Sequence, residues 1–270
     1  MALEIIVLIK QVPRLKNLRI DSSMGTIIRD NEKNIINPDD LYGLELALEL
    51  KAKYGGTTTV ITMGPPQAES SLREALAMGI DNAVLISDPI FAYSDTLQTT
   101  LILKETLEQL KNYDIIITGV HSLDASTGQV PYQLSEALDI PLITHVFSME
   151  IDGATFKCQR NFGHESQNIE CKLPVLLRVV PHANKPRPIP LLGIKQAFEK
   201  EITTINYYAL NCPGYIDGCN KSPTSVVKTV QIQHERKHEF LEGTTKEKID
   251  KLILLMKEYG IEKIWTGNQQ

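Results

Sequence analysis

The loop from Gly119 to Pro131 lies between an apolar run and an amphipathic stretch, and most of its residues are small, polar or turn-forming. Loops of this length between compact elements usually carry function or are disordered. Gly128 allows a ligand to approach the main chain closely, while Ser126 and Thr127 offer hydroxyl and amide donors. The helix that follows presents free N–H groups at its positive end. The pattern is suited to binding phosphate.

Two further residues of this loop have different chemistry. Gln129 can donate to a ring or to a pyrophosphate oxygen, whereas the carboxylate of Asp124 cannot bind phosphate and is suited to organising the loop. A Ser-Thr-Gly sequence also caps helices without any ligand, and taken alone the motif favours that structural interpretation. The positions of other segments must decide between the two.

Four short apolar runs are β-branched and nearly continuous, which is typical of strands buried on both faces of a parallel sheet. They are residues 4–9, 58–63, 82–87 and 114–119. The stretches between them predict four helices, beginning near Asp39, Ala68, Asp95 and Gly128. Asp39 and Asp40 are expected to form an N-cap and an acidic first turn. This alternation predicts an α/β fold, a doubly wound and mainly parallel sheet with right-handed crossovers.

In such a sheet, ligands bind beyond the carboxyl ends of the strands. Four segments fall there: Leu8 to Lys10, Ile36 to Asp39, Met63 to Pro66, and the loop itself. Their coincidence at one edge favours a ligand site over a simple helix cap.

The second half of the chain has a different pattern. Three strand-like segments after Pro141 predict a β-hairpin region. Prolines at 181, 186, 188 and 190 then favour an extended arm and a loop-rich tail, which ends in a helix at about 245–259. We therefore expect a nucleotide-binding domain over residues 1–190 and a C-terminal arm over 191–270 that packs on a partner.

Composition excludes several classes of function. A net charge of −5 without a basic stripe argues against nucleic acid, and no apolar run is long enough to span a bilayer, so we expect a cytoplasmic protein. The four cysteines have no metal-ligand or disulfide spacing, and His121 and His164 stand alone. No GxGxxG, P-loop or nucleophile-elbow motif occurs. Composition and spacing predict a nucleotide-binding α/β protein with a partner-binding arm.

Several segments resemble the beta (small) subunit of electron-transfer flavoproteins. The resemblance rests on VLIKQVP, INPDD, ITMGPPQAESSLREALAMG, the D-x-x-T-x-Q-V pattern from Asp124 to Val130, KLPVLL, Asn184 to Arg187, KSPTSVVKT and LEG. It covers nearly the whole chain, and the block ending in REALAMG is its most specific part.

This resemblance implies a flavodoxin/HUP-like fold in a heterodimer with an FAD-binding alpha subunit, which exchanges electrons with a flavin dehydrogenase such as an acyl-CoA dehydrogenase. It implies no catalytic side chain and no metal ligand. The nucleotide contacts that it carries over are Leu8, Asn37, Pro38, Asp39, Asp40, Met63, Gly119, Val120, His121, Ser122, Leu123, Asp124, Ala125, Ser126, Thr127, Gly128, Gln129 and Val130.

The family has two branches that differ in the nucleotide bound by this subunit. In the plain branch it is a structural AMP; in the electron-bifurcating branch it is a second FAD, reduced by NADH, with ferredoxin or flavodoxin as a low-potential acceptor. Asp124, Thr127, Gln129 and Val130 match the bifurcating pattern, as does Lys10 to Pro13. The resemblance therefore favours FAD. The alternatives are AMP and a nucleotide-binding scaffold without redox activity.

This sequence also departs from the family. Val120 replaces a basic residue, Pro131 replaces a glycine, and Asn161 replaces an acidic residue after Arg160, in a region near the alpha-subunit flavin. Leu191 keeps the position of the family's partner-anchoring leucine, and an exposed leucine is a plausible binding hot spot.

Overall fold

The computed structural model describes residues 2–14, 19–20, 27–28, 34–163, 165–210, 214–227 and 240–259. The chain divides into two compact units, Met1–Thr229 and Val230–Gln270. The predicted boundary at residue 190 thus lies inside the first unit. Among the described ranges, no helix is long and apolar enough to cross a lipid bilayer.

The strands, in chain order, are β1 (Leu3–Ile9), β2 (Gln11–Pro13), β3 (Arg19–Ile20), β4 (Ile27–Ile28), β5 (Asn34–Ile36), β6 (Gly56–Met63), β7 (Asn82–Ile86), β8 (Ile115–Thr118), β9 (Leu142–Thr144), β10 (Val146–Asp152), β11 (Thr155–Phe162), β12 (Glu165–Lys172), β13 (Val175–Arg178) and β14 (Ile202–Ile205). The helices are α1 (Pro38–Tyr54), α2 (Glu69–Met78), α3 (Thr96–Leu110), α4 (Val130–Leu138), α5 (Leu191–Glu199), α6 (Gly218–Lys221) and α7 (Thr245–Glu258).

A parallel sheet organises the first unit, with the strand order β14, β7, β6, β1, β8, β13, β9. The chain moves from β1 outward to β6 and β7, and then returns through α3 to β8 on the other side of β1. The strand order therefore reverses between β1 and β8, which is the switch point where doubly wound sheets bind ligands. The predicted fold is confirmed.

Alternate residues of β1 pack into two different cores, which shows that both faces of the sheet are covered. Ile5 and Val7 belong to the core that includes α1 and α2, whereas Ile6 and Leu8 belong to the core that includes α3 and α4. A strand with this double burial is apolar at nearly every position, and in β1 the one polar residue is Glu4, near the start of the strand.

The predicted hairpin is confirmed as a three-stranded antiparallel sheet of β10, β11 and β12. Gly153 adopts a φ of +59° in the turn between the first two strands, a conformation that favours glycine. The last of the three strand-like segments, residues 168–180, divides at Leu173 and Pro174 into the end of β12 and the whole of β13. Proline has no N–H to donate to a ladder, and β13 instead joins the parallel sheet between β8 and β9.

The prediction of a loop-rich tail after residue 190 is wrong for α5 and β14. β14 pairs with β7 and extends the parallel sheet by one strand. α5 is attached to α2 because Arg73 donates to the carbonyls of Ala197 and Lys200, at 2.7 and 2.6 Å. The domain core thus continues beyond the proline-rich segment.

In the second unit, the predicted last helix is confirmed as α7. Thr244 and Glu247 form a reciprocal capping box at its start, in which each side chain bonds the other residue's backbone N–H. This local signal explains why the helix begins where the sequence predicts.

Candidate functional site

The carboxyl ends of β1, β6, β8 and β13 lie side by side because these neighbouring strands are parallel. This edge, with the first turn of α1 and the loop 119–130, is called the rim. Arg178 and Thr118 are register partners at the ends of β13 and β8, and Met63 ends β6. All four segments that the sequence assigned to this edge lie there.

Asn37 joins the start of α1 to the loop after β8. It is buried, and its side-chain amide donates to the Asp40 carboxylate at 3.0 Å and to the His121 carbonyl at 2.9 Å. Its side-chain oxygen accepts from the Leu123 amide at 3.0 Å. Asn37 is also the N-cap residue of α1, two residues before Asp39, so the cap expected at Asp39 or Asp40 is wrong, whereas the expected acidic first turn is confirmed. Pro38 at the first helical position fits this start.

Asp40 lies beneath the loop and is buried. Its two carboxylate oxygens accept from the Lys10 amide, at 2.7 Å, and from Asn37. Burial raises the pKa of Asp40 to about 7, although these hydrogen bonds act in the opposite direction. A Cβ added at Gly119 would lie 2.3 Å from the Asp40 carboxylate, so only glycine fits at the start of the loop.

Two side-chain contacts, one of them an ion pair, hold the first half of the loop. The Lys10 ammonium donates to the Asp124 carboxylate at 2.8 Å, and the Asp124 side chain is only 6% exposed. His121 Nδ1 lies 2.6 Å from the Asp39 carboxylate. Since Asp124 is committed to Lys10, it organises the loop and leaves ligand binding to other groups.

The second half of the loop has amides without acceptors. The Ser126 amide donates to the Ser122 carbonyl at 2.8 Å, but within the described part of the chain the amides from Thr127 to Val130 have no hydrogen-bond acceptor. Ser126 and Gly128 have φ values of +55° and +60° and turn the chain into α4. α4 has no side-chain cap. Consecutive free amides at a helix start can bind an anion.

Gln129 is fixed by a contact with α3. Its side-chain oxygen accepts from the Thr96 hydroxyl at 3.1 Å, so its amide nitrogen is the group left to donate to a ligand. Gln133, one turn further along α4, accepts from the Thr100 hydroxyl at 3.0 Å and donates to the Thr96 hydroxyl at 3.3 Å. The contact positions the start of α4 against α3.

Arg178 is a rim residue that the sequence reasoning missed. Its Nε and Nη2 donate to the Val120 carbonyl at 3.2 and 2.9 Å, and Nη1 donates to the Tyr132 hydroxyl at 3.3 Å. The available signal was a basic residue at the carboxyl end of an otherwise apolar strand. Val120 stands where the family has a basic residue. The guanidinium of Arg178, on β13, instead lies at the main chain of Val120.

Three apolar residues among the predicted contacts pack into the protein. Leu8 belongs to the core formed with α3 and α4, and Met63 and Val130 are partly buried against it. Their main chains lie at the rim while their side chains shape its floor.

The remaining predicted residues lie elsewhere. Arg160 on β11 donates to Gln167 at 2.9 Å, and Asn161 pairs with Ser166 in the small sheet. Leu191 begins α5, which packs on α2, and its side chain is 85% exposed. The structure does not bring Leu191 to the rim.

The rim fits a phosphate-bearing nucleotide because its uncommitted groups are mostly donors. Besides the loop amides, the buried hydroxyls of Thr62 and Thr118 have no hydrogen-bond partner among the described residues. Thr62 directly precedes Met63, and Thr118 directly precedes Gly119, two of the predicted nucleotide contacts. Two small cavities, of about 130 and 240 Å³, lie at the α2–α5 contact and at the amino edge of the sheet, and both are smaller than typical ligand pockets.

Several known proteins are similar to this chain over most of its length. The "Electron transfer flavoprotein domain" family matches residues 24–210. An "Electron transfer flavoprotein subunit beta" of Thermoanaerobacterium thermosaccharolyticum is 41% identical over 93% of this chain and 96% of its own. The "Caffeyl-CoA reductase-Etf complex subunit CarD" of Acetobacterium woodii is 36% identical over 90% and 93%. The "Acryloyl-CoA reductase electron transfer subunit gamma" of Anaerotignum propionicum is 35% identical over 93% and 97%.

Proposed function

The chain belongs to the electron transfer flavoprotein family, among its beta subunits, and we propose that it binds FAD at the rim within a heterodimer that takes electrons from NADH. The observation that carries this proposal is the row of amides from Thr127 to Val130, which have no acceptor among the described residues and lie at the switch point of the sheet. A diphosphate would satisfy these donors.

The chain's own residues hold and orient the nucleotide. Lys10 and Asp124 fix the first half of the loop, Asn37 fixes it to α1, and Gln129 is placed by Thr96 to donate to the ligand. When bound, FAD supplies hydride acceptance from NADH and stepwise electron transfer to other acceptors. The protein then needs no general acid or base, and none of the rim residues is assigned such a role.

The proposal of FAD instead of AMP rests on the space that the loop leaves for a larger ligand and on the loop sequence. Ala125, Ser126 and Thr127 are exposed and small, and Gly128 adds no side chain, so the loop leaves space beyond an ADP moiety. Asp124, Thr127, Gln129 and Val130 match the FAD-type pattern. An isoalloxazine ring would also need donors beside it, which Gln129 and Thr127 can provide.

The partners follow from the family. An alpha subunit with its own FAD completes the heterodimer. Residues 191–270, of which α5 and β14 belong to the first unit, provide the surface that packs on the alpha subunit and on the dehydrogenase. Two relatives are named after acyl-CoA reductases, which supports a dehydrogenase of the acyl-CoA class. Leu191 is exposed and suited to anchor that partner. Ferredoxin or flavodoxin is the proposed low-potential acceptor.

Cofactor analysis of the heterodimer tests this proposal. The chain is co-expressed with its alpha subunit, the complex is denatured, and released nucleotides are separated and counted. Two FAD per heterodimer are expected. One FAD with one AMP would assign the chain to the plain branch instead.

Titration with NADH tests the redox role separately. Bleaching of the flavin absorbance by NADH without added dehydrogenase is expected. A colourless complex would instead support a scaffold role without redox activity.

A further inference from the structure

The guanidinium of Arg178 lies among neutral acceptors. Its three hydrogen bonds go to the Val120 carbonyl and the Tyr132 hydroxyl. Among the described residues, no carboxylate lies within 4.0 Å of it. The other cation of the rim, Lys10, is paired with Asp124. Arg178 therefore contributes a positive charge to the rim that no carboxylate of the described residues neutralises.

This charge is held in a fixed position. The guanidinium lies over the Tyr132 ring, 5.5 Å from its centre. Two of its nitrogens, Nε and Nη2, donate to the same carbonyl of the loop, that of Val120. Arginine carries a planar set of five N–H donors and stacks on aromatic rings. Since these contacts use three N–H groups, two remain for another acceptor.

The guanidinium also lies beside the free amides. A Cβ added at Gly128 would be 3.5 Å from Arg178 Nη2 and 3.2 Å from the Val120 carbonyl. Glycine with a φ of +60° thus keeps this space open between the guanidinium and the start of α4. Arg178 and the amides from Thr127 to Val130 border the same opening.

The field of this charge reaches neighbouring groups. The pKa of His145 is lowered by burial and, next in size, by the positive charges of Arg178 and Arg160. A nearby carboxylate would have offset that effect.

On these contacts, we infer that Arg178 binds a phosphate group of the nucleotide at the rim, jointly with the amides at the start of α4. This inference rests on the proposed function, since it needs a nucleotide at this edge. Arginine is suited to phosphate because its fork can donate two parallel hydrogen bonds to one phosphate group. The contact adds to a purely main-chain site a charge that discriminates phosphorylated from unphosphorylated ligands.

The test compares ADP with adenosine on heterodimer freed of its nucleotide. Calorimetry gives the affinity of each ligand for the wild type, Arg178→Gln and Lys172→Gln, at low and high salt. Lys172 is an exposed cation on β12 and controls for net charge. We expect ADP to bind Arg178→Gln about 10- to 100-fold more weakly, with a smaller salt dependence, and adenosine to bind unchanged.

Other outcomes separate this inference from the proposed function. Equal ADP affinity in wild type and Arg178→Gln would overturn the phosphate role while leaving the nucleotide site intact. An equal loss for ADP and adenosine would also overturn it, because the residue would then act only by holding the loop. If the wild type bound neither ligand, the proposed function itself would fail. Arg178→Lys should recover part of the ADP affinity, since it retains the charge without the fork.

Discussion

The two edges of the parallel sheet use polar groups in opposite ways. At the amino edge, the Asp81 carboxylate accepts from the Lys51 ammonium at 2.6 and 2.7 Å and from the Thr58 amide and hydroxyl at 2.9 Å. Asp114 accepts from the Glu4 amide in the same region. At the rim, the start of α4 and Arg178 keep donors that have no acceptor in the part of the chain that the structure describes. Closed networks stabilise the fold, whereas open ones are suited to a ligand.

Asp81 at the amino edge and Asp40 at the rim show this difference in their pKa values. Burial alone would raise the pKa of Asp81, but its bonds to Lys51 and Thr58 outweigh burial, and the pKa lies below its usual value. For Asp40 burial outweighs the hydrogen bonds, and the pKa rises to about 7. Asp40 is the more deeply buried of the two, and the Lys10 ammonium is directed to Asp124, whereas Asp81 has an ammonium partner in Lys51.

Gly119→Ala should have the largest effect on the rim. The new Cβ would lie 2.3 Å from the Asp40 carboxylate and 3.1 Å from Asp39, so α1 or the loop must shift. We expect a loss of about 3 kcal/mol in the free energy of unfolding, measured in urea, with loss of nucleotide. Gly214→Ala is the matched control, since a Cβ there meets nothing within 4 Å. Equal stability of the two variants would contradict the packing described for Gly119.

Asn37→Ala should have the next largest effect on the stability of the rim. It removes three hydrogen bonds and leaves the Leu123 amide and the His121 carbonyl without their partner. We expect a loss of roughly 2–3 kcal/mol in the free energy of unfolding, since unsatisfied buried polar groups cost about 1–3 kcal/mol each. Nucleotide affinity should fall with it, because Asn37 holds the loop. Unchanged affinity in a destabilised variant would show that the loop does not depend on Asn37.

The raised pKa of Asp40 predicts a pH dependence of stability. Between the unfolded pKa near 3.8 and the folded pKa of about 7, the folded state holds a proton that the unfolded state has lost. This contribution is therefore complete at low pH and is lost as the pH rises through about 7, at about 1.4 kcal/mol per pH unit within the window. Asp40→Asn should remove that slope from the urea-derived stability profile. Parallel profiles for wild type and variant would rule out the raised pKa, which NMR of aspartate-labelled protein can measure directly.

Asp81→Asn should have the smallest effect on the free energy of unfolding. The pH dependence that it removes should have the opposite sign to that of Asp40. The lowered pKa means that Asp81 stabilises the fold above its unfolded pKa, and that this stabilisation is lost as the pH falls. We expect a loss of about 1 kcal/mol at neutral pH, because the pair is partly exposed. Nucleotide affinity should not change. A loss of affinity here would remove the distinction between the two edges.

Sequence patterns were sufficient to predict the strands β1, β6, β7 and β8. These strands are largely apolar and β-branched runs, whose period and length are local properties. They also located the loop after β8, since its turn-forming residues separate two clear elements. β14 was missed because a four-residue strand with two exposed threonines has no distinctive pattern, and its pairing with β7 is non-local.

Parts of the site depend on contacts that a sequence does not display. Arg178 reaches the main chain of Val120 from a strand 58 positions away, and Asn37 reaches His121 across 84. No local pattern encodes such pairs. The family-like segment at 221–229 ends in residues that lie outside the described ranges, as does Cys212. The nucleotide that fills the rim depends also on the alpha subunit, whose sequence is separate.

Amide hydrogen exchange on the nucleotide-depleted heterodimer, with and without added ADP, tests the central claim most directly. Binding at the rim predicts slower exchange in residues 119–130, strongest from Thr127 to Val130, and unchanged exchange at the amino edge around Thr58 and Asp114. Protection at the amino edge, or none in the loop when ADP is bound, would contradict the placement of the nucleotide site at the carboxyl ends of β1 and β8.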